Sequence, residues 1–197
     1  MTRGVRLALS IGLIVLALWL YDSLRPVPQP PGVLAPDAPR VELVEGKSEV
    51  FEHDGHVLTA LARFSAQARV LSVKRYGDRA AQVAPRDIAL GWGPMSDSTT
   101  LKLVDVAQTE RGVVFQSFDP KLPDEQVAAY VLNLHVVAAD GELRKRLGEL
   151  RAGNVVRIEG WLVEAVAGDG WRWRGTARDG APTMPATLLW LEKLEVS

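Results

Sequence analysis

The chain contains no cysteine among its 197 residues and only 3 histidines. Disulfide stapling and thiolate ligation are therefore excluded. The redox compartment stays open, because a cysteine-free chain suits either one. An excess of charge is also missing: 23 lysines and arginines face 24 acidic residues, a formal net charge of −1. From residue 40 onward the counts are 20 and 22, or about −2. Such a balance argues against nucleic acid, or an anionic lipid surface, held by a strong overall electrostatic footprint. There is no internal repeat, and no low-complexity tract beyond one proline-rich stretch.

What is present begins at the N-terminus. Arg3 and Arg6 precede an unbroken apolar run, Leu7 to Leu20, of 14 residues. That is about 21 Å of helix at 1.5 Å per residue, against a hydrocarbon core of about 30 Å. Extending the segment over residues 4–24 closes the gap, with Arg6 reaching back towards the headgroups. Trp19 and Tyr21 then fall where an interfacial aromatic belt belongs. A cleaved signal peptide is the competing reading, but no small-x-small site follows the run. The expectation is an uncleaved, single-pass signal anchor over 4–24, so the first partner is the lipid bilayer. The basic residues before the run place the N-terminus inside and the domain outside the inner membrane, in the periplasm or its equivalent.

Pro26, Pro28, Pro30, Pro31, Pro36 and Pro39 follow closely. Proline at this density favours the extended polyproline II form, about 3.1 Å per residue. Residues 25–40 are expected to be a linker that holds the domain at most roughly 40 Å from the bilayer. Residues 41–197 are long enough for one domain with a real core.

The pattern of that domain is mainly β. Phe64, Ala66, Ala68 and Val70 alternate with Ser65, Gln67, Arg69 and Leu71, a half-buried strand. Pro85 to Leu90 reads as a short helix opened by its proline. Lys102–Gln108 and Gly112–Phe118 read as a hairpin, and Tyr130–Val137 as a strand. Asp140 caps a helix whose Leu143, Leu147 and Leu150 share one face. Strands over Val155–Val166, Trp171–Arg178 and Thr187–Val196 complete the set. The predicted class is mainly β (α+β): a small antiparallel barrel of the oligonucleotide/oligosaccharide-binding (OB-like) type, or a sandwich, with one or two short helices.

Candidate contact residues concentrate in two places. In the loop Gly91–Asp97, Trp92 is placed to stack on a sugar or base, beside Met95, with Ser96 or Asp97 as hydrogen-bonding groups. The simpler account has Trp92 plugging the end of the fold and Ser96 or Asp97 capping a short helix through Leu101. Asn133 and His135 share a strand face. With Asp97 or Asp140 near, His135 could do acid/base work, and Ser96 could complete a nucleophilic set. His53-Asp54-Gly55-His56 has metal-pair spacing but no further ligand close by, and Asp54-Gly55 is a turn signal. Trp171-Arg172-Trp173-Arg174 alternates, which puts the rings on one face and the arginines on the other. That separation opposes a nucleic-acid groove and suits pairing of the arginines with Glu159 or Glu164. No motif implies a metal or another cofactor, and no catalytic residue is assigned.

The segments ALGWGPMSDSTTL, NLHVVAAD and GDGWRWRGTARD through LLWLEKLEV together resemble a group of uncharacterised, small, membrane-anchored bacterial proteins. The resemblance covers about residues 57–197 and is most specific over Gly91–Asp97. It implies a single membrane helix and a β-rich domain, and it carries over no catalytic residue. The sequence thus points to a membrane-tethered binding or scaffolding module whose partner is another envelope protein. An envelope hydrolase using Ser96 or Asp97 with His135, and a glycan or nucleic-acid binder on an OB-like face, are the alternatives.

Overall fold

The computed structural model describes residues 25–175 and 184–197; the expected anchor over 4–24 lies outside them. Among the described residues, no helix is long and apolar enough to cross a membrane. The domain is mainly β with a few short helices.

Among the described residues ten strands run in order: β1 (Arg40–Leu43), β2 (Val50–His53), β3 (His56–Arg75), β4 (Arg86–Gly91), β5 (Val104–Thr109), β6 (Gly112–Ser117), β7 (Val131–Ala138), β8 (Val155–Ala167), β9 (Arg172–Trp173) and β10 (Leu188–Val196). One helical turn, α1 (Asp124–Val127), precedes β7, and α2 (Gly141–Glu149) joins β7 to β8. Five strands pair in a closed circuit: β3 with β4, β4 with β7, β7 with β10, β10 with β8, and β8 back to β3. All these pairings are antiparallel except β7 with β10. The strand β3 is long because it serves several partners. It pairs with β8 from His56 to Arg69 on one edge, and with β2, β1 and β4 in turn on the other. Register shifts at Ala60/Ala62 and Val70/Ser72 let it curve.

The alternation read from Phe64 to Val70 is the inner face of that circuit. Phe64, Ala62 and Val70 are fully buried there with Ile88, Leu90, Leu132, Leu134, Ile158, Leu162 and Leu189. Two smaller cores lie outside the circuit. One holds Leu58, Val83, Val137, Val163, Leu188 and Trp190. The other holds Ala89, Met95, Val104, Val113, Val127 and Val131 beneath the β5–β6 hairpin. All of β7 is consequently buried on both faces.

Several local expectations hold. Asp140 Oδ1 accepts from Leu143 N at 2.8 Å and caps α2, whose Leu143, Leu147 and Leu150 are buried. The β2–β3 hairpin turns on Asp54 (φ 46°) and Gly55 (φ 77°). The β5–β6 hairpin turns on Glu110 (φ 47°) and Arg111 (φ 65°), a left-handed pair without glycine.

Two expectations are corrected. Pro85 to Leu90 is not a helix: Arg86–Gly91 forms β4, because Ile88 and Leu90 complete the inner core while Asp87 and Ala89 face outward. Residues 25–40 do not stand off as a spacer. Val27 N donates to Ala152 O at 2.7 Å, Ala35 is fully buried, and Arg40–Leu43 already pairs with β3. The strand expected over Trp171–Arg178 is seen as Arg172–Trp173, and its end falls outside the described residues.

Phe64 is the largest side chain of the inner core that is fully buried. Phe64→Ala is expected to cost about 3–5 kcal/mol, read as a lowered denaturant midpoint with an unchanged slope. A loss below about 1 kcal/mol would mean that the inner face is not the principal core.

Candidate functional site

The sequence-predicted site residues fall into two separate structures. The first is a clasp made by the Gly91–Asp97 loop. Met95 and Ser96 are buried, and the indole of Trp92 is half-buried against the inner core. The packing of Trp92 against the core agrees with the simpler account of this loop. Short 3-10 turns over Gly93–Ser96 and Thr100–Lys102 flank Asp97. Its carboxylate accepts from Thr99 N and its backbone O accepts from Leu101 N at 3.0 Å, so the short helical turn through Leu101 is capped by Asp97 and not by Ser96.

The hydrogen-bonding groups of the loop grip the proline-rich strap. Ser96 Oγ accepts from Leu34 N and Ala35 N, both at 3.1 Å, and donates to Gly93 O at 2.7 Å. Gly93 N donates to Ala35 O at 2.7 Å. Gly93 has φ +52°, and a Cβ there would lie 2.9 Å from the Tyr130 ring, so only glycine fits without a shift. Asp97 Oδ1 accepts from Gly32 N and Thr99 N, each at 2.8 Å. Arg69 extends the grip, donating to Ser96 O at 3.2 Å and to Ser98 Oγ at 2.8 Å. Ser98 Oγ donates in turn to Gln29 O at 2.9 Å. At the start of the strap, a Cβ on Gly153 would sit 2.1 Å from Val27 O, so the close approach requires glycine. The amides of Thr99 and Gly32 hold the Asp97 carboxyl below the usual carboxylate range. Burial pulls the Arg69 guanidinium down from its ordinary value, partly opposed by the charge of Asp97.

The second structure is a buried ionic cluster on the outer face of β4 and β7. Asp87 lies directly opposite His135, and Ala89 opposite Asn133, in the β4–β7 register. His135 Nδ1 is 2.9 Å from Asp87 Oδ1, and both side chains are completely enclosed. Arg111 reaches in from the hairpin turn. Its Nη1 donates to Asp87 Oδ1 and to Ala84 O, each at 2.8 Å. Its Nε and Nη2 donate to Asp78 at 2.9 and 2.6 Å. The guanidinium lies 4.2 Å from the Tyr76 ring centre and 5.4 Å from that of Trp173, and Trp173 also covers His135 at 4.6 Å. Asn133 donates to Asp87 Oδ2 at 3.2 Å and accepts from Gln108 Nε2.

The hydrogen bond from Arg111 holds Asp78 below the usual carboxylate range. Burial alone would lower Arg111; its bond to Asp78 and the charges of Asp87 and Asp78 outweigh that and raise it. Burial, with the charge of Asp87, raises the Tyr76 phenol. Arg111 holds a left-handed backbone, a conformation that costs about 1–2 kcal/mol, and the anchored side chain over-determines it.

The carboxylate that meets His135 is therefore Asp87, and neither Asp97 nor Asp140. Ser96 is bound to Leu34, Ala35 and Gly93, apart from His135. Sequence reasoning missed Asp87, Asp78 and Arg111. Only the alternation of Asp87 and Ala89 with Ile88 and Leu90 could have flagged the first; nothing local marks Arg111. Among the described residues there is no group of three or more metal-ligating side chains. His53 meets the exposed carboxylate of Asp54 and the edge of Trp190, while His56 packs against Trp171. Arg172 pairs with Glu164, as the alternation implied.

Arg111→Met would leave Asp87 enclosed without its guanidinium partner. A loss of about 3–5 kcal/mol in unfolding free energy is expected, largely recovered in the Asp87→Asn, Arg111→Met double variant. A single-variant loss under about 1 kcal/mol would contradict the pairing.

Because Asp97 is held below its ordinary range in the clasped state, clasping is favoured above the ordinary carboxylate pKa and weakens as pH falls through the lowered one. In an NMR titration of the full chain, the Gly32 amide signal should move together with the Asp97 carboxyl, and Asp97→Asn should abolish that response. A Gly32 amide indifferent to pH in the natural chain would contradict the contact.

Compared with known protein families, characterised proteins and solved structures, the chain gives no match.

Proposed function

We propose that this chain is a membrane-tethered, extracytoplasmic binding or scaffolding module, not an enzyme. Residues 4–24 serve as a single-pass anchor in the inner membrane, with the N-terminus inside and the domain in the periplasm or outside. The domain is read as an OB-like barrel. That reading is supported by the five-strand circuit with one parallel pair and by the placing of α2 between β7 and β8. Another envelope protein is the partner.

One observation carries this reading. The groups that a hydrolase would use are committed to holding the fold: Ser96 and Asp97 grip the strap, and His135 is enclosed with Asp87. General acid/base work needs a group that can reach its substrate. A strap clasped to the domain suits a module held close to its anchor. The glycan or nucleic-acid alternative finds little support, because Trp92 packs against the core and Trp173 against His135. Large apolar side chains are exposed at Val114 on β6 and at Leu103 and Phe118 beside the hairpin, each 43–57% exposed, and also at Leu43, Val50 and Val57 on β1, β2 and β3.

The test uses the full-length chain in native membranes. A reporter active only in the cytoplasm, fused after Ser197, is expected to be silent. A photo-crosslinking residue at Phe118 is expected to give one discrete adduct with an envelope protein. An active reporter would overturn the topology. A hydrolytic turnover lost in His135→Gln would overturn the non-enzymatic reading.

A further inference from the structure

A cleft of about 250 Å³ opens between α2, the ends of β3 and β4, and the β2–β3 turn, away from both the clasp and the ionic cluster. Its floor is apolar, formed in part by Val136 and Leu147, and its walls carry Arg75, Arg86, Arg144 and His53. Three separate elements place the arginines. Arg75 on β3 and Arg86 on β4 are directly opposite each other in the antiparallel register. Arg144 projects from α2, and its charge is felt at His53. The guanidinium of Arg86 lies along α2, with Nη2 3.5 Å from the position of a Cβ on Gly148; the helix has no side chain there to displace it.

Like charges directly across a strand pair are destabilising, and a partly buried guanidinium needs a counter-charge. Burial and the neighbouring Arg75 both pull Arg86 down from its ordinary value. The nearby acids are engaged elsewhere. Asp87 and Asp78 bind Arg111, and Asp54, the one carboxylate among the described residues that line the cleft, is largely exposed and faces His53 at 3.6 Å. Among the described residues, no carboxylate lies within ion-pair distance of Arg75, Arg86 or Arg144. Three arginines thus line one cleft, two of them directly opposite each other in the sheet, with no carboxylate at ion-pair distance among the described residues.

We propose that this cleft is an anion site that takes a phosphoryl group, held by Arg75, Arg86 and Arg144. Guanidinium forks match the oxygens of a phosphate in bidentate geometry, and the volume suits a group of that size with part of what it is attached to. His53 adds a donor at the rim. The phosphoryl group can come from a free phosphate or phosphomonoester, or from the headgroup of an anionic phospholipid; both present the same oxygens to the arginines.

The experiment uses the full-length chain in phosphatidylcholine nanodiscs and follows the side-chain Nε–H signals of the arginines by NMR at constant ionic strength. Titrated inorganic phosphate is expected to shift the signals of Arg75, Arg86 and Arg144 along a saturating curve while Arg157 stays still. Arg86→Gln should weaken this binding at least tenfold. Arg144→Gln, on the exposed side of α2, should weaken it several-fold and keeps the test decisive if Arg86→Gln fails to fold. In nanodiscs containing phosphatidylglycerol, shifts of the same three signals before any phosphate is added would identify a lipid headgroup as the source. Saturable phosphate binding without that lipid response would identify the free anion. A linear response shared with Arg157, or equal affinity in both variants, would overturn the site.

Discussion

The pairing of β3 with β8, from His56–Ala167 to Arg69–Val155, is the constraint from which the rest of the domain follows. It closes the circuit of five strands, and closure removes the free edges that an open sheet would expose. Once closed, the circuit has an inside and an outside. Phe64, Leu90, Leu134 and Ile158 fill the inside, so the alternate residues of β4 and β7 must face out. Asp87, Asn133 and His135 are among them, and covering them requires the β5–β6 hairpin and β9. The ionic cluster is therefore a consequence of closure. Its polar groups sit between two outer apolar cores, where each must find a partner inside the protein.

Arg111 links these layers. Its backbone lies in a left-handed turn that glycine would adopt without cost, yet glycine would leave Asp87 without its guanidinium. The strain of the turn is balanced by four hydrogen bonds from one side chain. An enclosed pair of this kind is weak evidence for net stability but strongly resists the loss of either partner. Such an arrangement favours a rigid seat for the hairpin, which presents Val114 outward, with Phe118 exposed just beyond its second strand. Holding in place, more than reacting, is the common use of polar groups across this domain.

Much of the local structure was legible in the sequence. The period-two run at Phe64–Leu71, the Asp140 cap with its leucine face, and the turns at Asp54-Gly55 and Glu110-Arg111 all depend on short-range patterns, and each is found in place. The failures share a cause. Pro85 suits the first turn of a helix or the residue before a strand, and only the distant partners of Ile88 and Leu90 decide between them. Prolines at 26–39 describe an extended backbone, which is what a strap needs as much as a spacer does. The acceptors that dock it, Ser96 and Asp97, are more than 60 residues away. The strand pattern marks His135 as a residue in need of a polar partner, but the partners it suggests, Asp97 and Asp140, are not the one found. Its partner Asp87 was hidden by the helix reading of its own segment.

The strap contact is where fold and proposed function meet, because it decides whether the domain is fixed to the segment before it or hangs from it. Hydrogen exchange of the backbone amides of Leu34 and Ala35 in the full-length chain measures this directly, since both donate to Ser96 Oγ. Protection well above that of an unstructured peptide, lost in Ser96→Ala while β7 stays protected, is the result that a clasped module predicts. Exchange at the free-peptide rate in the natural chain would contradict it and return residues 25–40 to the role of a loose tether.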